Sequence, residues 1–283
     1  MSGHARCVPT LMLKSKTAIG DSSHIARKRF GQNFLHDPHL IQKIIRLIDP
    51  QPGDHLVEIG PGQAAITAPL IAAAGHVHAI EIDRDLVARL RERFSEEQLS
   101  IDQNDVLRVD FVGLSQRLGG RLRVVGNLPY NISSPILFHL LEAADSIVDQ
   151  FVMLQKEVVD RMVADHGSKI YGRLSVMLQA RYRLQRCLLV PPGAFHPAPK
   201  VDSAIVRMVP IAHDQVRVKD WPIFAAVVAM AFSQRRKMLR NTLAPYMEII
   251  DWAGLGIAPT NRAEDLSVDQ FIDLANAITA QTA

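Results

Sequence analysis

The feature that most restricts the fold of this 283-residue chain is a regular exchange of strand-like runs with segments of helical period. Residues 55–59, 76–82, 99–103, 122–126 and 147–154 read as short strands. Segments 64–74, 85–94, 135–144 and 157–164 carry apolar residues at helical spacing. A strand that reaches its neighbour through a helix pairs with it in parallel, and such crossovers are right-handed. The expectation is an α/β chain built on a parallel sheet covered by helices. One more helix precedes the first strand. Asp37-Pro38 is an N-cap followed by proline at the first helical position, and Leu40, Ile44, Ile45 and Ile48 share one face behind it.

The exchange then stops. After a helix over 173–181, residues 187–190 and 204–209 predict an antiparallel pair around a proline-rich loop. From Asp220 onward only helical period remains, broken by Pro245, Gly254, Gly256 and Pro259. The expected organisation is an extension over 1–25, a sheet-bearing domain over 26–209 and a small all-helical domain over 210–283. Cys7 and Cys187 are too few for a disulfide framework, which points to a reducing, cytoplasmic setting. No apolar run approaches a membrane span, and the N-terminus lacks the apolar core of a signal peptide. His76 and His78 alternate with apolar neighbours as strand residues do, so no metal is expected. No oligomerisation seam is visible, and a monomer is expected.

A ligand site is expected at the strand ends. Val57-Glu58-Ile59 runs into Gly60-Pro61-Gly62, a turn whose glycines let a ligand approach the backbone closely. About twenty residues on, at the end of the next strand, Glu81 is placed to accept both hydroxyls of a ribose. Gly60, Gly62 and Ala65 satisfy the dinucleotide spacing G-x-G-x-x-A, which alone also suits a plain tight turn. Two details favour S-adenosyl-L-methionine over a dinucleotide: Glu58 precedes the turn, and Pro61 removes an N–H where a pyrophosphate needs one. Asp105, at the end of the third strand, is placed to bond an adenine amino group or simply to cap the chain.

The fourth strand ends in Asn127-Leu128-Pro129-Tyr130. The N6 amino group of adenine is a poor nucleophile because its lone pair is delocalised into the ring. The Asn127 side-chain oxygen and the Leu128 carbonyl could each accept one of its N–H groups, turning the lone pair towards an electrophile. Pro129 stiffens the turn, and Tyr130 offers a stacking face. The same string also suits an Asn-initiated turn beside a core tyrosine.

These residues resemble the ribosomal RNA adenine dimethyltransferases. The likeness runs from Lys28 to the C-terminus. It rests on Lys28-Arg29-Phe30-Gly31-Gln32-Asn33-Phe34-Leu35, the Glu58–Gly62 turn, Glu81-Ile82-Asp83-Arg84, Asn127 to Ser133, Phe195-His196-Pro197 and Lys200-Val201-Asp202-Ser203. The resemblance implies a Rossmann-like S-adenosyl-L-methionine-dependent sheet. It also implies dimethylation at N6 of two adjacent adenosines near the 3′ end of small-subunit (16S) ribosomal RNA, with the immature 30S subunit as partner. It assigns cofactor contacts to Asn33, Leu35, Gly60, Glu81, Asp105 and Asn127, and makes Phe195 a second aromatic face opposite Tyr130. Ala64 departs from the third glycine common among methyltransferases; a methyl there could crowd the cofactor's methionine end, and because the flanking residues match well only a slightly shifted loop is expected.

Two basic clusters are candidate phosphate contacts: Arg27, Lys28 and Arg29, and Arg235, Arg236 and Lys237 with Arg240. Either could equally be a solvated face. Other readings stay open at this point: methylation of large-subunit RNA by the antibiotic-resistance branch, a DNA adenine methyltransferase, a non-catalytic ribosome-binding factor, and a nicotinamide oxidoreductase. The last leaves Asn127 to Tyr130 without a role.

Overall fold

The protein is described by a computed structural model over residues 32–282. It opens with a two-residue strand β1 (Phe34–Leu35) and helix α1 (Pro38–Ile48). Strand and helix then alternate through β2 (His55–Ile59), α2 (Thr67–Ala74), β3 (Val77–Ile80), α3 (Arg84–Arg93) and β4 (Leu99–Asp102). The series continues with α4 (Phe111–Leu118), β5 (Leu122–Asn127), α5 (Ser133–Glu142) and β6 (Ile147–Gln155). Helices α6 (Lys156–Met162) and α7 (Arg173–Gln179) lead to β7 (Tyr182–Val190), β8 (Phe195–His196) and β9 (Ser203–Pro210). The tail holds α8 (Trp221–Ala231), α9 (Leu239–Thr242) and α10 (Val268–Thr282).

Seven strands form one sheet in the order β4-β3-β2-β5-β6-β9-β7. β4, β3, β2, β5 and β6 pair in parallel, while β9 runs antiparallel between β6 and β7. The chain winds outward from β2 through β3 to β4, then returns to the other side of β2 as β5. That reversal opens a crevice at the carboxyl ends of β2 and β5, where ligands of open α/β sheets bind.

Alternation along the strands sends side chains to two cores. Val57, Ile59, Leu122 and Val124 join one cluster with α4 and α5 residues such as Phe111, Leu114, Ile136 and Leu140. Leu56 and Val125 join another with Ile44, Ile48, Leu70 and Leu90 of α1, α2 and α3. A third cluster joins Val176, Met177 and Ala180 at α7 to Phe224, Val227, Phe271 and Leu274 of the tail. Helix α7 also gives Leu174 and Leu178 to the first cluster, so one helix carries packing from sheet to tail. Buried Arg181 adds a polar tie, donating to the Ile211 carbonyl and to Asp145.

Three features differ from the sequence expectation. Helix α4 occupies part of the stretch between the third and fourth strands, where none was expected. The Asp110 carboxylate caps it by accepting from Gly113 N–H, and Gly119 closes it in the left-handed region. Strand β7 begins at Tyr182 rather than 187; as the sheet edge it exposes polar residues that hide a strand in an apolar pattern. Strands β1 and β8 form a separate antiparallel clasp, Phe34↔His196 and Leu35↔Phe195, too short to leave any period.

Candidate active site

The close approach of β2 and β5 builds the crevice. A Cβ placed on Gly126 would stand 2.6 Å from the Ile59 carbonyl oxygen, so this strand position admits glycine alone. Beyond it, Gly60 and Gly62 turn at φ +68° and +56°, and the Phe34 ring lies 3.1 Å from where a Gly62 Cβ would be. The cleft around this turn has about 1010 Å³ of space and opens to solvent. Asn33, Leu35, Gly60, Glu81, Asp105, Asn127, Leu128 and Tyr130 all line it. Eight of the residues singled out by sequence thus meet in one place.

Asn127 has a defined orientation. Its side-chain Nδ2–H donates to the Asn33 carbonyl at 2.9 Å, and only the amide nitrogen can do so. The Oδ1 atom is left buried without a hydrogen-bond partner among the described residues. An orphaned acceptor costs about 1–3 kcal/mol, which a ligand N–H would recover. Leu128 is held behind it by its own N–H on the Met153 carbonyl, 3.1 Å away. The half-buried Tyr130 follows, its hydroxyl 2.6 Å from Ser203 Oγ. Burial raises the Tyr130 pKa, and the serine opposes the shift.

Two carboxylates face the glycine turn. Glu81 accepts from Gly62 N–H at 3.3 Å and from Asp83 N–H at 2.9 Å, bracing the loop. Burial pushes its pKa up while those two N–H groups pull it down. Glu58 is buried more deeply and its pKa is pushed up to about 7, first by desolvation. The Thr67 hydroxyl tempers that rise and the charge of Glu81 adds to it. Neither Glu58 Oε2 nor Thr67 Oγ1 has a well-formed hydrogen bond among the described residues. Asp105 caps the turn after β4 through Oδ1, which accepts from Leu107 N–H at 3.0 Å. The capping alternative for Asp105 is therefore real, and the residue still lines the cleft.

Ala64 also adopts a left-handed conformation, φ +64°, which costs an L-residue roughly 1–2 kcal/mol. Its methyl is buried in the core cluster with Leu70 and Ile71 and is absent from the cleft lining. The left-handed turn carries the methyl into the protein and away from the cleft, so the departure from glycine is absorbed in the loop.

Other expected site residues lie elsewhere. Phe195 is 2% exposed, packed with Leu35, Val190 and Ile205, and does not line the cleft. Its backbone pairs with Leu35 across the β1–β8 clasp. Phe34 lines the cleft instead; it stands between Asn33 and Leu35 in the sequence, but nothing there marks its ring as facing the glycine turn. Arg235, Arg236 and Lys237 are exposed between α8 and α9, and Arg240 is exposed on α9 itself. Arg235 pairs with Glu264 at 2.9 Å and donates to the Lys169 carbonyl. Arg236, Lys237 and Arg240 have no such ion pair among the described residues. Arg27, Lys28 and Arg29 lie outside the described residues. His78, on β3, is hydrogen-bonded to Ser100 through Nδ1 at 2.8 Å.

The donor set fits S-adenosyl-L-methionine. The turn brings backbone close to a ligand, the buried carboxylates Glu58 and Glu81 suit hydroxyls and positive charge, and the orphaned Asn127 Oδ1 awaits an N–H.

Known proteins resemble this chain over most of its length. A relative from Aromatoleum aromaticum, a ribosomal RNA small subunit methyltransferase A, is 56% identical over 261 residues, 92% of this chain and 97% of its own length. One of the same name from Ralstonia nicotianae is 54% identical, covering 95% of this chain and 96% of its own. Among solved structures, a dimethyladenosine transferase from Plasmodium falciparum shares the fold with TM-score 0.76 at 23% identity, over 88% of this chain and 98% of its own. The 23S rRNA methyltransferase ErmE does so with TM-score 0.68 at 24% identity, over 87% and 100%. A model of the ribosomal RNA adenine dimethylase family matches residues 23–280. With that match added to the cleft that joins Gly60, Glu81, Asp105 and Asn127, the chain belongs to the ribosomal RNA adenine dimethylase family.

Proposed function

We propose that the chain dimethylates N6 of two adjacent adenosines near the 3′ end of small-subunit ribosomal RNA, acting as a monomer on the immature 30S subunit in the cytoplasm. It is an rRNA adenine dimethyltransferase and uses S-adenosyl-L-methionine, as its family and its relatives named for the small subunit support. No helix among the described residues is long and apolar enough to cross a membrane. When bound, the cofactor supplies an electrophilic methyl group on a sulfonium. Glu81 would hold its ribose hydroxyls, Asp105 its adenine, and the Gly60–Gly62 turn its amino-acid end, with Asn33 and Leu35 closing the cleft.

The observation that carries the reading is the orphaned Asn127 Oδ1, fixed by the tie of the same amide to Asn33. In the cleft it accepts one N–H of the target amine, and the Leu128 carbonyl accepts the other. Both bonds favour a pyramidal nitrogen with an available lone pair. The neutral amine needs no strong base, so catalysis rests on orientation and hydrogen bonding. Tyr130 supplies a stacking face, which offsets the cost of drawing the base out of its stack. Phe195 joins it as a second face only when the loop over 191–202 turns that ring outward. The helical region over 210–283 docks the RNA through Arg236, Lys237 and Arg240 beside Arg235, and Arg27, Lys28 and Arg29 contribute from the other end.

The test is tritiated methyl transfer from S-adenosyl-L-methionine to unmethylated small subunits, followed by nucleoside analysis. Dimethyladenosine is the expected product, and Asn127→Ala should lower kcat about 10²–10³-fold with folding intact. Labelling of large-subunit RNA alone would shift the reading to that branch. Binding to subunits without transfer would make the chain an assembly factor.

A further inference from the structure

We propose that Ser203 is a positioning residue for the target base, acting through the hydroxyl of Tyr130. The inference rests on the stacking role proposed for Tyr130. The two hydroxyls are 2.6 Å apart, and Ser203 is fully buried. Tyr130 sits on a single 3₁₀ turn, Tyr130–Ile132, whose N-cap makes no side-chain hydrogen bond. Its ring is half-buried in the cleft wall, and the hydroxyl tie pins the far end of the ring, while the in-plane preference of a phenol hydrogen bond favours one ring plane. A base stacks well on an aromatic ring only when the relative planes are held.

The anchor itself is rigid. Ser203 is the first residue of β9 and pairs with Gln155 of β6 on one side and Val190 of β7 on the other. The preceding peptide is pinned as well, because Lys156 N–H donates to the Asp202 carbonyl at 2.9 Å. Residues 191–202 leave the sheet at Val190 and return at Ser203. Tyr130 is therefore tied to the stem of the loop that carries Phe195, and its ring keeps a set spacing from that loop. The sequence stretch Lys200-Val201-Asp202-Ser203 thereby gains a specific task for its last residue.

The experiment is a double-mutant cycle with Ser203→Ala, Tyr130→Phe and the pair, using Tyr130→Ala as reference. Methyl transfer to unmethylated small subunits gives kcat and KM, calorimetry gives S-adenosylhomocysteine affinity, and circular dichroism checks folding. Each single change is expected to lower kcat about tenfold, with the double no worse than either, because both remove the same bond. Subunit KM and S-adenosylhomocysteine affinity should stay within about twofold, which a general loss of structure would not allow. Multiplying effects in the double, or full rate in Tyr130→Phe, would overturn the tie. Should Ser203→Ala fail to fold, Tyr130→Phe decides alone by the same tenfold criterion. Full activity in Tyr130→Ala would overturn the stacking role itself. An inactive Tyr130→Ala beside a fully active Tyr130→Phe would remove only the role of Ser203.

Discussion

The strand-end cleft and the helical tail belong to one chain, yet folding treats their chemically marked residues differently. In the cleft, six of the eight marked residues lie at or just past the carboxyl end of a strand, where the sheet brings them together, and the β1–β8 clasp adds Asn33 and Leu35. Eight marked residues consequently share one wall. In the tail, the marked residues are exposed cations between α8 and α9 and on α9, and a cation's chain position does not say which carboxylate it will meet. Arg235 finds Glu264, twenty-nine positions away, while Arg236, Lys237 and Arg240 do not pair in this way among the described residues. Motifs that combine backbone constraint with chemistry survive folding as sites. Charge runs are divided by folding into structural and available members.

The largest effect expected from challenging that contrast concerns Phe195, which is marked by motif yet buried. Phe195→Ala should destabilise the protein by about 3–4 kcal/mol, as a large-to-small change in a packed core does. Urea denaturation checks this. A loss below about 1 kcal/mol with strongly reduced methyl transfer would instead make Phe195 a base-stacking residue in the working state.

Glu58 sharpens the contrast from inside the cleft. Its pKa is raised by folding, so the native state binds its proton more tightly than the unfolded chain does. Its contribution is fully present below about 4.5 and is lost as pH rises through about 7. Glu58→Gln should thus leave stability nearly unchanged near pH 4 and increase it by about 3 kcal/mol at pH 8. Denaturant melts at the two pH values measure the difference. Equal effects at both would show that Glu58 is ionised at little cost.

The smallest effects belong to the tail. Arg236→Ala, Lys237→Ala and Arg240→Ala should each weaken subunit binding and reduce the slope of log affinity against log salt by about 0.7–0.9. Arg235→Ala should change the salt slope less and lower stability by under about 1 kcal/mol, since its ion pair is half-exposed. Identical slopes for all four would erase the distinction between paired and available cations.

Much of the fold was legible because period and punctuation agree. The parallel strands and α1 follow from apolar runs, Asp37-Pro38 and the glycine turn. Helix α4 was missed although Asp110 and Gly119 mark its ends, because a short helix flanked by Val109 and glycines shows little period. The polar first half of β7 was missed because an edge strand needs few apolar residues. At the site, Asn127 was legible from its neighbours, whereas the serine that holds Tyr130 was not, because seventy-three residues separate them.

By itself the sequence determined the order of elements, the strand ends that carry Gly60, Glu81, Asp105 and Asn127, and the family of the chain. Local propensity and residue chemistry act over a few positions, and these features need no more than that. The tertiary structure decided which marked groups share surroundings. It left Asn127 Oδ1 without a partner, placed Ala64 in the core, buried Phe195, joined Tyr130 to Ser203 and paired Arg235 with Glu264. Those outcomes depend on burial and on contacts between distant segments, which exist only once the chain has packed.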